Sequence, residues 1–425
     1  MARIQVPERA VAINPLKLSP PLGAALAFLG IKGALPLLHG SQGCTAFAKV
    51  MLVRHFREAI PLATTALTEV STILGGEDNI RQSLETLLAK AQPQLIGLCS
   101  TALAETRGED IAGILRQLHL PIPVIYACAP DFGGSLSDGY SQAVEAIIRE
   151  LPQPGPLLAD QVTVLAGPDL TPGEVADVKA LIQAFGLTPI VIPDLSTSLD
   201  GHWANGYHSV TTGGTSLAEL RAAGRSAHVL VIGQSLRRAA EQWRERFQVP
   251  YTLVPGVTGL AASDDLLRCL MAWSGQSVPA LYRQQRRQLL DAMLDTHFYL
   301  GGKRVALALE PNQLFVMSHF LASMGMEIQA AVSPTRADWL ADLPCETVIV
   351  GDLSDLQQHA PGADVLISNC RAAPIAQALG LPLLRMGLPI WDRLGYHLRS
   401  YVGYRGTAQL LFDLSNLLLE TPHHP

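Results

Sequence analysis

The apolar and polar positions of this 425-residue chain fall into repeated strand-then-helix units. Over residues 79–90, Ile80, Leu84, Leu87 and Leu88 recur on one face of a 3.6-residue helix, and a second helix is predicted over 22–29. The preceding Gly75-Gly76-Glu77-Asp78 supplies a flexible turn and acidic residues where free backbone N–H groups collect. A short apolar run at 95–99 predicts a buried strand, 109–118 a helix and 123–128 another strand. Two strands separated by a helix make a parallel, right-handed unit the default topology.

After Pro152-Gln153-Pro154-Gly155-Pro156 the pattern restarts, with a strand at 161–166, a helix at 173–185 and a strand at 188–192. Strands at 228–232 and 251–254 follow, then a helix from Leu260 and a long amphipathic helix over 282–298. Gly301-Gly302-Lys303 resets it again, before strands at 305–309, 346–350 and 365–368, with a helix at 312–324 between the first two. This alternation predicts an α/β chain of mainly parallel sheets covered by helices on both faces. Three restarts predict three Rossmann-like domains, 1–157, 158–300 and 301–425, the last ending in a helical segment; a single barrel would need eight evenly spaced units.

Composition then narrows the class. The chain is 48% hydrophobic and only 16% charged, against a usual ~25%, which excludes a disordered chain or a charged coiled coil. A surface so poor in charge implies a large covered core, an extensive permanent subunit interface, or both. The net charge of -6 comes without a long basic run, so nucleic acid is not an expected partner. Residues 20–38 are the most membrane-like stretch, yet Lys32, Gly23, Gly30, Gly33 and Pro36 interrupt it. They are read as a buried helix and turn. The start, Met1-Ala2-Arg3-Ile4, lacks an apolar signal core, so the expected location is the cytoplasm, without membrane contact.

Six cysteines stand far apart at 44, 99, 128, 269, 345 and 370, with no CxxC pair, so a disulfide framework is not expected. Ligands of open parallel sheets lie beyond the strands' carboxyl ends, where Ala129–Ser135, Gly167-Pro168-Asp169, Pro255-Gly256 and Ser368-Asn369-Cys370-Arg371 fall. None of these matches a dinucleotide or P-loop fingerprint, and neither GxSxG nor HExxH occurs. The strongest local candidate is His39-Gly40-Ser41-Gln42-Gly43-Cys44-Thr45. Its glycines permit close backbone approach and its thiolate suits iron or zinc. Spacing alone leaves two readings open, a structural loop with a buried thiol or a ligand loop. One cysteine does not hold an iron–sulfur cluster, so in the second reading the other ligands come from elsewhere.

His39–Cys44, followed by Arg54-His55-Phe56-Arg57-Glu58 and by Thr68-Glu69 through Gly75-Gly76-Glu77-Asp78-Asn79, resembles the nitrogenase component 1 superfamily, in its beta-type, cofactor-biosynthesis branch. Asn14-Pro15-Leu16-Lys17, Gly387-Leu388-Pro389 and Tyr401-Val402-Gly403-Tyr404-Arg405-Gly406 extend the likeness over essentially the whole chain. Nitrogenase beta subunits give three cysteines and a serine to an eight-iron cluster. The matching positions here are Ser19, Cys44 and Ala102, with Ser135 in the region of the serine. Cys99 lies three residues before Ala102.

The resemblance therefore implies a four-iron, four-sulfur (4Fe-4S) cluster shared at an interface, with Cys44 the one ligand from this chain. Gly40 and Gly43 would allow close packing, and Ser41 and Gln42 would line its surroundings. It implies an α2β2 heterotetramer with the alpha-type chain NifE, a scaffold and electron relay rather than an independent enzyme. The iron–molybdenum cofactor precursor would sit mainly in the partner. Transient partners would be NifB, the nitrogenase Fe protein and small cofactor carrier proteins. His202, His208, His297 and His319 carry no implied ligand role. Alternatives are the B subunit of a dark-operative protochlorophyllide or chlorin reductase, a vanadium-system equivalent, and a cluster-free structural partner.

Overall fold

A computed structural model describes residues 1–7, 11–203 and 206–421; the last four residues of the third predicted segment lie outside them. Strands β1 (Arg3–Gln5), β2 (Ala34–His39), β3 (Ala63–Thr64), β4 (Leu95–Ser100) and β5 (Val124–Ala127) come first. β6 (Leu158–Ala166), β7 (Thr188–Ile192), β8 (Ser226–Ile232) and β9 (Tyr251–Val254) follow. β10 (Arg304–Ala308), β11 (Glu327–Ser333), β12 (Thr347–Val350), β13 (Val365–Ser368) and β14 (Leu383–Arg385) complete the set. They form three sheets, ordered β3-β2-β4-β5, β7-β6-β8-β9 and β1-β12-β11-β10-β13-β14. Every strand pairing in them is parallel. The α/β architecture of three helix-covered parallel sheets is the one the alternation predicts.

Several elements differ from that reading. Residues 20–38 hold helix Pro20–Leu29 and then the central strand β2, rather than a helix and turn. β2 is buried at every position and pairs in full with β4, Pro36 lying opposite Gly97. β11 intervenes between the helix Pro311–Ser323 and β12, and β1 crosses from the chain start to the edge of the third sheet.

Helix Pro20–Leu29 is buried along its whole length and packs on helix Leu136–Glu150. Their glycines explain how close they come. A Cβ on Gly23 would lie 1.9 Å from the Leu136 carbonyl oxygen, and one on Gly139 would lie 1.9 Å from that of Pro20. The same core continues into the second sheet through Leu165, Ile192 and Val231, and onto Trp243 of the helix Arg237–Phe247. Another core joins Val164 and Leu230 of the second sheet to Val305 and Leu307 of the third. The sheets are thus welded through shared apolar layers, which leaves their strand ends to define the possible sites.

Candidate functional site at the mouth of the first sheet

In the first sheet the chain runs β2, out to β3 on one side, then back to β4 and β5 on the other. The crevice where connections diverge therefore lies between the carboxyl ends of β2 and β4, the usual ligand position in such sheets. His39 ends β2, and Gly40 and Ser41 lead into helix Gln42–Phe56, so Cys44 sits in a helix first turn rather than in a loop. Ser41 caps that helix, its Oγ accepting from the Cys44 N–H at 3.4 Å. The Cys44 thiol is free and exposed, so the buried-thiol reading does not hold.

Around Cys44 the predicted site residues divide. Gln42 and Gly43 are exposed, and a Cβ on Gly43 would meet nothing within 4 Å. Gly40 instead faces inward, where a Cβ would lie 2.8 Å from Thr101. Ala102 opens the helix after β4, and its backbone N–H and the Ser19 hydroxyl both donate to the Asp131 carboxylate, whose pKa burial raises. Ser135 is drawn elsewhere, donating to Glu310 at 2.6 Å. Cys99 is fully buried in β4, its thiol directed to the Gly97 carbonyl, and burial pushes its pKa up. Cys128 is exposed, but burial of its sulfur and bonding to Glu105 favour the protonated thiol. Of the predicted donors, Cys44 alone is a free thiol facing outward at the mouth.

The four histidines lie elsewhere. His202 pairs with Asp200 at 2.5 Å, His319 bonds the Phe315 carbonyl on its own helix, His297 lies on the exposed side of helix Ala280–Leu300, and His208 is exposed near residues 206–212. Among the described residues no group of three or more His, Cys, Asp or Glu could hold a metal ion. The exposed Cys44 thiol, with open space beside it at Gly43, fits a cluster completed by donors from another chain. It does not fit a cluster held by this chain alone.

Sequence reading missed the exposed apolar side chains carried by the cysteine helix and by the segments that follow β3 and β5. Phe47 and Val50 project from the cysteine helix, Val70, Ile73 and Leu74 from helix Glu69–Leu74, and Phe132 from the loop after β5. Val70, Ile73 and Leu74 are 64%, 77% and 78% exposed, and helix Glu69–Leu74 buries no residue at all. Exposed apolar patches of this kind mark interaction surfaces. The local signal was present: Val70, Ile73 and Leu74 occupy one side of a short capped helix.

The corresponding ends of the second and third sheets are bridged by buried polar side chains. Asn312, past the end of β10, donates to Asp169, past the end of β6, and to the Pro255 carbonyl at 3.0 Å. Its side-chain oxygen accepts from the Gln234 N–H at 2.7 Å. Glu310 accepts from Ser135 and from Ser137, at 2.8 Å for the latter. Burial raises Glu310 and Glu174 to about 7 and Asp169 to about 6. The cavities left here measure about 40 and 50 Å³, room for a few waters, whereas cofactor pockets span ~300 Å³ or more. A cleft of about 590 Å³ opens beside the junction, but its lining includes neither His nor Cys.

Comparison with known proteins settles the family. Residues 19–419 match the family described as nitrogenase component 1 type oxidoreductase. The chain belongs to the nitrogenase component 1 family. It is 53% identical over 428 residues, covering 99% of this chain and 96% of the relative, to the nitrogenase iron-molybdenum cofactor biosynthesis protein NifN of Nostoc sp. (strain PCC 7120 / SAG 25.82 / UTEX 2576). The protein of the same name in Klebsiella pneumoniae is 39% identical, with 100% and 95% of the two chains covered. Among solved structures, a chain of nitrogenase Cp1 at pH 6.5 superposes with a TM-score of 0.92 at 30% identity, covering 98% of this chain and 95% of that one. A chain of nitrogenase Cp1 at pH 5 shares the nitrogenase component 1 fold at TM-score 0.73 and 14% identity.

Proposed function

We propose that this chain is the beta-type subunit of a NifEN scaffold, on which the precursor of the iron–molybdenum cofactor is matured for nitrogenase. The carrying observation is the exposed free thiol of Cys44 in the first turn of the helix after β2, on a helix that also exposes Phe47 and Val50. Its relatives' shared name, a cofactor biosynthesis protein, supports the scaffold reading over a tetrapyrrole reductase. In this reading Cys44 supplies one ligand to a 4Fe-4S cluster, and NifE supplies the others across an interface in an α2β2 assembly. When bound, such a cluster stores and relays single electrons, at a potential set by its surroundings.

The chain's own residues then have defined tasks. Ser41 holds the first turn so that Cys44 faces outward, and Gly43 leaves space beside it. Ser135 is drawn away to Glu310, and Asp131 lies against Ser19 and the Ala102 backbone. The tight junction of the second and third sheets supports placing the cofactor precursor mainly in the partner. The chain acts as scaffold and electron relay rather than as an independent enzyme, with the Fe protein, NifB and small cofactor carriers as transient partners. No helix among the described residues is long and apolar enough to cross a membrane; the assembly proposed is a cytoplasmic one.

Co-expression with and without NifE tests this reading. The expected products are an iron-containing assembly of two copies of each chain with NifE, and an iron-free product without it. A stable monomer carrying a full cluster would contradict it.

A further inference from the structure

His39 is completely buried, and both of its ring nitrogens are engaged. Nδ1 meets the Thr65 hydroxyl at 2.9 Å and Nε2 meets the Glu109 carboxylate at 2.8 Å. The other oxygen of Glu109 accepts from the Gly76 N–H at 2.7 Å. Thr65 and Gly76 are the two ends of a strap, residues 65–76, that carries helix Glu69–Leu74 with its unburied Val70, Ile73 and Leu74. One His–Glu pair therefore holds both ends of the strap.

The same pair reaches the cysteine turn. Gly40 follows His39, and its carbonyl accepts from the Leu67 N–H of the strap at 2.9 Å and from Thr64 Oγ1 at 3.2 Å. The His39 carbonyl accepts from Thr101 Oγ1 at 2.8 Å, which fixes the floor of the crevice. There is no slack at the far end either. A Cβ on Gly76 would lie 2.8 Å from His39 Cε1 and 2.9 Å from Glu109 Oε1. A short helix that buries nothing has little packing of its own to hold it, so its position is set by these end ties. Burial lowers the His39 pKa, so at neutral pH the ring is a neutral donor–acceptor peg.

We infer that His39 and Glu109 are positioning residues that couple the apolar strap to the cysteine turn: both strap ends and the Gly40 hinge share one buried pair, so a displacement of the strap is transmitted to Cys44. The cluster readout below rests on the function proposed above; the exchange readout does not.

The test compares hydrogen exchange and the cluster's electron paramagnetic resonance spectrum in the complex purified with its partner. Glu109→Ala is expected to speed exchange of amides 65–76 and 40–45 together, roughly tenfold, and to alter the spectrum. Glu109→Gln keeps an acceptor for Gly76 and turns the other contact round: its amide N–H donates to His39 Nε2, and the ring's Nδ1–H then donates to the Thr65 hydroxyl, so it is expected to restore both. Gly76→Ala keeps the pair but presses on it, and is expected to reproduce the coupled pattern if Glu109→Ala does not fold. Helix Ala280–Leu300 serves as the unchanged control. A strap that loosens while amides 40–45 and the spectrum stay as in the wild type would overturn the inference, as would faster exchange spread evenly over the chain. If Cys44→Ala leaves the cluster intact while exchange remains coupled, the cluster assignment fails and this inference stands.

Discussion

The strand-end crevice of the first sheet and those of the second and third are built by the same divergence of parallel connections, yet they end in opposite states. At the first, Gln42, Gly43 and Cys44 face outward among exposed apolar side chains. At the others, Asn312, Asp169 and Glu310 are bonded across the junction; two water-sized cavities lie among them, and the wider cleft beside them is lined by neither His nor Cys. An open mouth tolerates change in the isolated chain and registers it on assembly. A closed junction registers change in folding itself. Buried histidines and buried carboxyls in the molecule respond to acid with opposite signs.

The largest folding effect is expected at the closed junction. Asn312→Ala removes bonds to Gln234, Pro255 and Asp169, whose other oxygen is already sealed without a partner. A loss of about 3 kcal/mol is expected in denaturant unfolding. A change below about 0.5 kcal/mol would mean that the junction does not carry the domain contact.

Acid titration should separate the buried histidines from the buried carboxyls next, His55 and Glu310 lining one cavity of the closed junction. His55 is fully buried, accepts from the Ile390 N–H at 2.9 Å, and is lowered to about 3 by burial. The unfolded chain takes up its proton below about 6.5 and the folded chain does not, so this group removes about 2 kcal/mol of stability by pH 5. His39 at the first-sheet mouth works in the same direction. Glu310 works in the other, since a carboxyl raised to about 7 loses stability as pH rises from its ordinary range to 7 and regains it on acidification. Glu310→Gln is therefore expected to flatten the carboxyl contribution between about pH 4.5 and 7, measured as unfolding free energy against pH. An unaltered profile would show that Glu310 is not the titrating group.

The smallest effect on folding is expected at the open mouth. Gly43→Ala adds a methyl group to empty space on a helix, so stability should stay within about 0.5 kcal/mol or rise slightly. Iron retained by the assembled complex should nevertheless fall if the partner packs against this turn. Full iron retention would remove Gly43 from the contact.

The parts of the fold legible in the sequence were those whose signal is local. Ile80, Leu84 and Leu87 mark one helix, and Val229, Leu230 and Val231 mark a buried strand, because each element's burial follows its own period. β2 was hidden because Pro36 interrupts it, yet its partners in β4 cover it fully. β1 depends on a strand more than three hundred residues away, which no local pattern contains. Helix Gln42–Phe56 was obscure for a functional reason: Phe47 and Val50 face outward while Met51 and Leu52 face the core, so apolar residues surround it. Cys44 stood out by its glycine-rich neighbourhood, whereas the His39–Glu109 tie spans seventy residues and becomes visible only in three dimensions.

The central claim is that Cys44 is this chain's one ligand to a cluster shared with its partner. Substituting Cys44→Ala in the co-purified complex and measuring iron per complex with the low-temperature resonance signal tests it most directly. The account predicts an assembled complex that has lost the interface cluster's iron and signal. A complex with unchanged iron and an unchanged signal would contradict it.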